Sequence, residues 1–111
     1  MERRDYLLRM LEDMGRVIAR LRELLLGGDT TGAALELQAA AKLAGLDLGA
    51  ARSLTAESLL MILRPTGDGD PTRVRLVAEL LDGAAAVAHA EGKDDEAAQY
   101  EAKADALRNN L

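Results

Sequence analysis

The sequence predicts an all-α protein of about five helices with no β-sheet, and three observations carry that expectation. Leu and Ala each occur 21 times among 111 residues, and both lose little conformational freedom in a helix. Four Val, two Ile, five Thr, two Tyr and no Phe or Trp leave too few β-branched and aromatic side chains to cover a sheet. Apolar residues also recur every three or four positions, the period of a helix with one buried face. The length suits one core, so residues 1–111 are read as a single all-helical domain: a hairpin over 3–44, a short helical segment over 46–64 and a hairpin over 71–110.

The first helix is expected over about 3–26. Leu7, Leu11, Met14, Ile18, Leu21 and Leu25 step alternately by four and three, flanked by Met10, Val17 and Leu24. Charged residues such as Glu12 and Arg16 occupy its outer face at i, i+4 spacing. Gly27 and Gly28 end it, and Asp29, Thr30 or Thr31 is placed to cap the next helix. That second helix, over about 31–44, presents Ala33, Leu37, Ala40, Ala41 and Ala44 inward and stops at Gly45.

The middle is more broken. Residues 46–52 form a short helical turn, and Thr55 caps a helix over 56–63 that stops before Pro65. The run Leu59-Leu60-Met61-Ile62-Leu63 is apolar on every side, which requires burial all round or contact with a partner chain. After the polar loop at 66–70, Asp70 caps and Pro71 opens a helix to about residue 91. Val74, Val77, Leu81, Ala84 and Ala88 face inward there with Leu80 and Val87 adjoining, and Gly83 marks a close backbone approach. Gly92 ends this helix, Asp94 caps the last, and Ala97, Tyr100, Ala104 and Leu107 line its inner side.

The two glycine turns are alike. Gly28 is followed by Ala33, Leu37, Ala40 and Leu43 at offsets 5, 9, 12 and 15, and Gly92 by Ala97, Glu101, Ala104 and Leu107. The pattern resembles the second half of a tetratricopeptide repeat, in which a glycine turn precedes a helix whose small residues nest against its partner. Glu101 departs from it, with Tyr100 beside it as the substitute. From Asp5-Tyr6-Leu7-Leu8-Arg9-Met10 through Gly28-Asp29 to Leu46-Asp47-Leu48, the chain also resembles a small family of uncharacterised bacterial all-helical proteins. That resemblance implies a repeat-like helical fold and carries no catalytic motif.

Composition narrows function chiefly by exclusion. Without Cys there are no disulfides, thiolate metal sites or thiol catalysis. No apolar run approaches the roughly 20 residues of a membrane span, and the start has no secretory pattern, so a cytoplasmic protein is expected. The net charge is −5, and an acid majority repels phosphate, which argues against nucleic acid as the partner.

Candidate chemistry is sparse. His89 alone provides no two-imidazole metal site, and it reads as a half-exposed helix residue. Asp68, Asp70, Thr72 and Glu79 imitate a calcium loop, but Arg73 stands where the sharp turn needs Gly. Asp94, Asp95 and Glu96 suit the positive end of a helix dipole. Arg64, Arg73 and Arg75 could gather around an anion, although pairing with Asp68 and Asp70 explains them more simply. No enzyme, cofactor or metal is expected.

The leading expectation is a non-enzymatic protein-interaction module of tetratricopeptide-like hairpins. Its candidate surface residues are Tyr6, Met10, Leu60, Met61, Arg64, Arg73, Arg75 and Tyr100. The alternative is a small homo-oligomer that pairs through the heptad-like seam of the first helix or through residues 59–63.

Overall fold

The computed structural model describes residues 2–63 and 71–110. Within them the chain forms six helices and no strand: α1 (Glu2–Leu26), α2 (Thr30–Leu43), α3 (Leu48–Ser53), α4 (Ala56–Leu63), α5 (Pro71–Ala90) and α6 (Asp94–Arg108). The count exceeds the expected five or so because residues 48–53 complete a short α-helix. Asp47 starts it by accepting a hydrogen bond from the Ala50 N–H at 3.1 Å. Pro65 and Asp70, the expected stop and cap around the polar loop, lie outside the described residues.

α5 is the helix around which the others gather. It packs against α1, α2, α4 and α6, while α1 lies on α2, and α3 and α4 each touch α6. Its seven expected inner positions are all buried, and so are Thr72, Leu76, Ala78, Gly83 and Ala85. A stripe through Arg75, Glu79, Asp82, Ala86 and His89 stays partly or fully exposed, and a helix buried over the rest of its circumference needs neighbours on several sides. Two core clusters result. Met14, Ile18 and Leu21 of α1 join Ala33, Leu37, Ala40 and Ala41 of α2 against Leu76, Leu80, Ala84 and Val87 of α5. Leu59, Leu63, Ala104 and Leu107 meet Val74, Val77, Ala78 and Leu81 on another side of α5.

Gly83 explains how α1, α2 and α5 approach so closely. A Cβ added there would stand 2.7 Å from Ile18 Cδ1 and 3.3 Å from Leu37 Cδ1. Ile18 and Leu37 therefore occupy the space a side chain would fill, as expected for a glycine kept inside a helix despite a propensity cost of about 1 kcal/mol.

The turns after α1 and α5 share one hydrogen-bond pattern. The Asp29 N–H donates to Leu24 O at 2.8 Å and the Gly28 N–H to Leu25 O at 3.0 Å; the Lys93 N–H donates to Ala88 O at 2.8 Å and the Gly92 N–H to His89 O at 3.0 Å. Both glycines are left-handed, with φ of +81° and +79°, so these are Schellman closures that satisfy helix carbonyls otherwise left open. The same pair of bonds closes α2 at Gly45.

Two expectations about helix ends are settled by these bonds. Asp29, rather than either threonine, caps α2, accepting from the Gly32 N–H at 2.8 Å. The cap expected at Asp94 is corrected: Lys93 takes the N-cap position with no side-chain hydrogen bond. The closure places the Lys93 N–H on Ala88 O, while Lys93 O already accepts the first bond of α6 from the Ala97 N–H at 3.0 Å. Asp94 thus falls inside the first turn, where its carboxylate reaches His89 Nδ1 at 2.8 Å.

Candidate functional site

The heptad-like seam of α1 is turned inward. Met14, Ile18 and Leu21 are buried and Leu11 and Leu25 half-buried against the protein's own core. Besides Leu26 at its C-terminal end, α1 leaves an N-terminal apolar flank on the surface. Tyr6 is 61% exposed and Met10 half-buried, and they border two adjoining hollows of about 260 and 210 Å³ that share Tyr6, Met10 and Leu43. The first hollow continues over Leu46, Ile62 and Leu76. The second follows α1 to Met14 and Val17 beside Ala40.

The groove depends on how the connecting segments fold. α2 buries Leu37, Ala40 and Ala41, and helical rotation then carries Leu43 to the outside, where it is 79% exposed. α4 is eight residues long and packs one side inward, so the wholly apolar run divides. Leu59 and Leu63 are buried and Leu60 half-buried, while Met61 and Ile62 are 71% and 61% exposed. Arg9 lines one hollow and Arg73 the other. Asp13, also at the rim, is engaged by Arg16 at 2.9 Å.

Of the eight surface residues expected from the sequence, the structure brings Tyr6, Met10 and Arg73 into this groove. Met61 stands exposed beside Ile62 on α4. Leu60 instead packs against the second core cluster. Arg75 is separated from Arg73 by two helix positions, about 200° of rotation, and lines a different hollow with Leu11, Glu79 and Arg108. Arg73 and Arg75 therefore do not gather around one anion, the alternative weighed beside pairing with Asp68 and Asp70; Arg64, Asp68 and Asp70 lie outside the described residues. Sequence reasoning missed Leu43 and placed Ile62 only within the 59–63 run offered as an interface. The first was read only as a repeat position, and nothing in the uniform run at 59–63 marks which residues face out.

Tyr100 belongs to another place. It is half-buried and packs against both core clusters, next to exposed Glu101. It also borders a cleft of about 680 Å³ whose floor is Ala84, Val87 and Ala88 of α5, with α2 on one side and α6 on the other. Burial raises the Tyr100 pKa; the Arg52 guanidinium opposes that, and the Glu96 and Asp47 carboxylates reinforce it. Arg52 is itself paired with Glu96, tying α3 to α6. At the C-terminal end of α6, Arg108 joins Asp82 and, at 3.4 Å, Glu79. Its pKa is raised chiefly by the hydrogen bond to Asp82.

The remaining candidates have structural partners or lie in the undescribed loop. His89 is more exposed than expected, with 73% of its side chain accessible beside Asp94. Of the calcium-like window, Thr72 is buried and Glu79 pairs with Arg108, whereas Asp68 and Asp70 lie outside the described residues. Among the described residues no group of three or more His, Asp or Glu is arranged to hold a metal ion. No described helix is long and apolar enough to cross a membrane. No protein-family model, curated protein or solved structure matches the chain.

Proposed function

We propose that this chain is a non-enzymatic protein-interaction module built from tetratricopeptide-like stacked antiparallel hairpins. Support for the architecture comes from the shared glycine closure after α1 and α5 and from the seating of α5 on both α1 and α2. The functional reading rests on one observation: the exposed apolar side chains of Tyr6, Leu43 and Ile62, from three different helices, border one groove with Met10. Scattered exposed leucines need no explanation, but convergent apolar residues around a concavity mark contact surfaces.

The proposed setting is the cytoplasm, with protein rather than nucleic acid or membrane as partner. Leu43→Glu and Ile62→Glu place charges in the groove at highly exposed positions, so the fold is expected to tolerate them. Leu35→Glu, at a residue 63% exposed that lines neither hollow, is the control. In a quantitative pull-down, a partner retained by the control but lost with the groove variants supports the module. Recovery unaffected by the groove variants counts against it.

A second reading, a homo-oligomer through residues 59–63, keeps the exposure of Met61 and Ile62 as its motive. The inward seam of α1 removes its other motive. A concentration-independent monomer mass in light scattering would exclude it.

A further inference from the structure

We infer that the groove takes an acidic amphipathic helix from a partner protein, about three turns long, with carboxylates against Arg9 and Arg73. This rests on the interaction-module reading and adds the partner's conformation, length and charge.

Conformation follows from the walls. The groove is flanked by helices, whose backbone groups are bonded internally along most of their length, so it offers no strand edge to an extended peptide. An extended segment would carry unpaired N–H and C=O groups into an apolar channel, whereas a helix satisfies its own. Length follows from α1: Tyr6, which borders both hollows, and Val17 mark the two ends of α1's share of the second, and eleven helical steps between them span roughly 16 Å, three turns. Apolar side chains at i, i+3 or i+4, and i+7 of the partner would then lie along the channel.

Charge follows from the rim. The chain carries −5 overall, yet among the described residues the charged ones lining these two hollows are Arg9, Arg73 and Asp13, and Asp13 is held by Arg16. Neither Arg9 nor Arg73 has an ion-pair partner among the described residues. A cationic rim on an acidic protein favours an acidic ligand by attraction at the groove and disfavours a basic one there. It also weighs against a second copy seated symmetrically, since the same arginines would face one another across the twofold axis.

The test uses the full chain and three fluorescein-labelled 16-residue helical peptides with one leucine stripe and Glu, Gln or Lys at the remaining positions. Fluorescence anisotropy should rank them Glu, Gln, Lys. The Glu peptide should bind about five- to tenfold tighter than Gln at low salt, the effect of two rim charge pairs, and lose most of that margin at high salt. Arg9→Gln with Arg73→Gln should erase the margin, while Leu43→Glu with Ile62→Glu should weaken all three peptides; circular dichroism verifies folding of every variant. Equal Glu and Gln binding that still depends on Leu43 and Ile62 overturns the acidic partner and leaves the module standing. Absence of peptide binding overturns the partner-helix inference while the pull-down decides the module; binding indifferent to Leu43 and Ile62 overturns both. A dimer abolished by the groove substitutions would make a second copy the occupant. Groove-dependent binding to phosphatidylglycerol vesicles in the absence of peptide binding would make it a lipid surface. Either result also overturns the partner-helix inference.

Discussion

Replacing Gly83 with Ala tests the packing of the three central helices because two opposing effects meet there. Ala favours a helix over Gly by about 1 kcal/mol. The new Cβ, however, would lie 2.7 Å from Ile18 Cδ1 and 3.3 Å from Leu37 Cδ1, where carbon pairs prefer roughly 3.5–4.0 Å. Ile18 and Leu37 are each 5% exposed and Leu21 is fully buried, so displaced methyl groups have little room. Overpacking of this kind costs about 1–3 kcal/mol. The clash therefore wins, and Gly83→Ala should destabilise the protein by about 1 kcal/mol, lowering Tm by about 4 °C.

Ile18→Val removes the Cδ1 that creates the shortest contact and by itself costs about 1 kcal/mol. In that background Gly83→Ala should become neutral or stabilising, giving a favourable coupling of about 1–2 kcal/mol. Urea and thermal melts of the four proteins, followed by circular dichroism, measure the cycle. A rise in Tm from Gly83→Ala alone, or the same effect in both backgrounds, would refute the close approach.

Helix ends provide a second test: Lys93→Ser should add about 0.5–1 kcal/mol by supplying the missing cap of α6, whereas Asp29→Ala should cost about 1 kcal/mol, both read in urea melts. Arg108→Ala should cost less than about 1 kcal/mol, because its pairs with Glu79 and Asp82 are partly exposed, and the difference should shrink in 1 M salt. In a Tyr6→Phe background, absorbance titration should show the Tyr100 phenol ionising above its ordinary value, and Arg52→Met should raise it further by removing the opposing cation. Between the unfolded and folded pKa values the folded chain keeps a proton the unfolded chain has lost, so this phenol makes stability fall as pH rises through that alkaline window. Titration of Tyr100 at or below the ordinary phenol value would contradict its burial.

Local chemistry made much of the fold legible. Asp29 and Gly28 mark the end of one helix and the start of the next, and their residue types specify the hydrogen bonds that form there. Ala33, Ala97 and Ala104 are buried where their spacing after the glycines places them. Periodicity was less informative for α5: it identified one stripe, while Leu76, Ala78 and Ala85 are buried by helices arriving from other directions. The same limit hid the groove. Leu43 and Ile62 are far apart in sequence, and each looks like an ordinary core leucine or isoleucine until its neighbours are known.

The sequence by itself determined that this protein is helical, where most helices stop and which small residues allow close contact, because propensity, capping and turn geometry act within a few residues of chain. Tertiary structure decided that α5 is covered on most of its circumference, that the seam of α1 is consumed in the core, that Arg73 and Arg75 serve different surfaces, and that Tyr6, Leu43 and Ile62 converge. Those outcomes depend on which faces meet across long sequence separations, and burial is a property of the assembled neighbours rather than of any one segment.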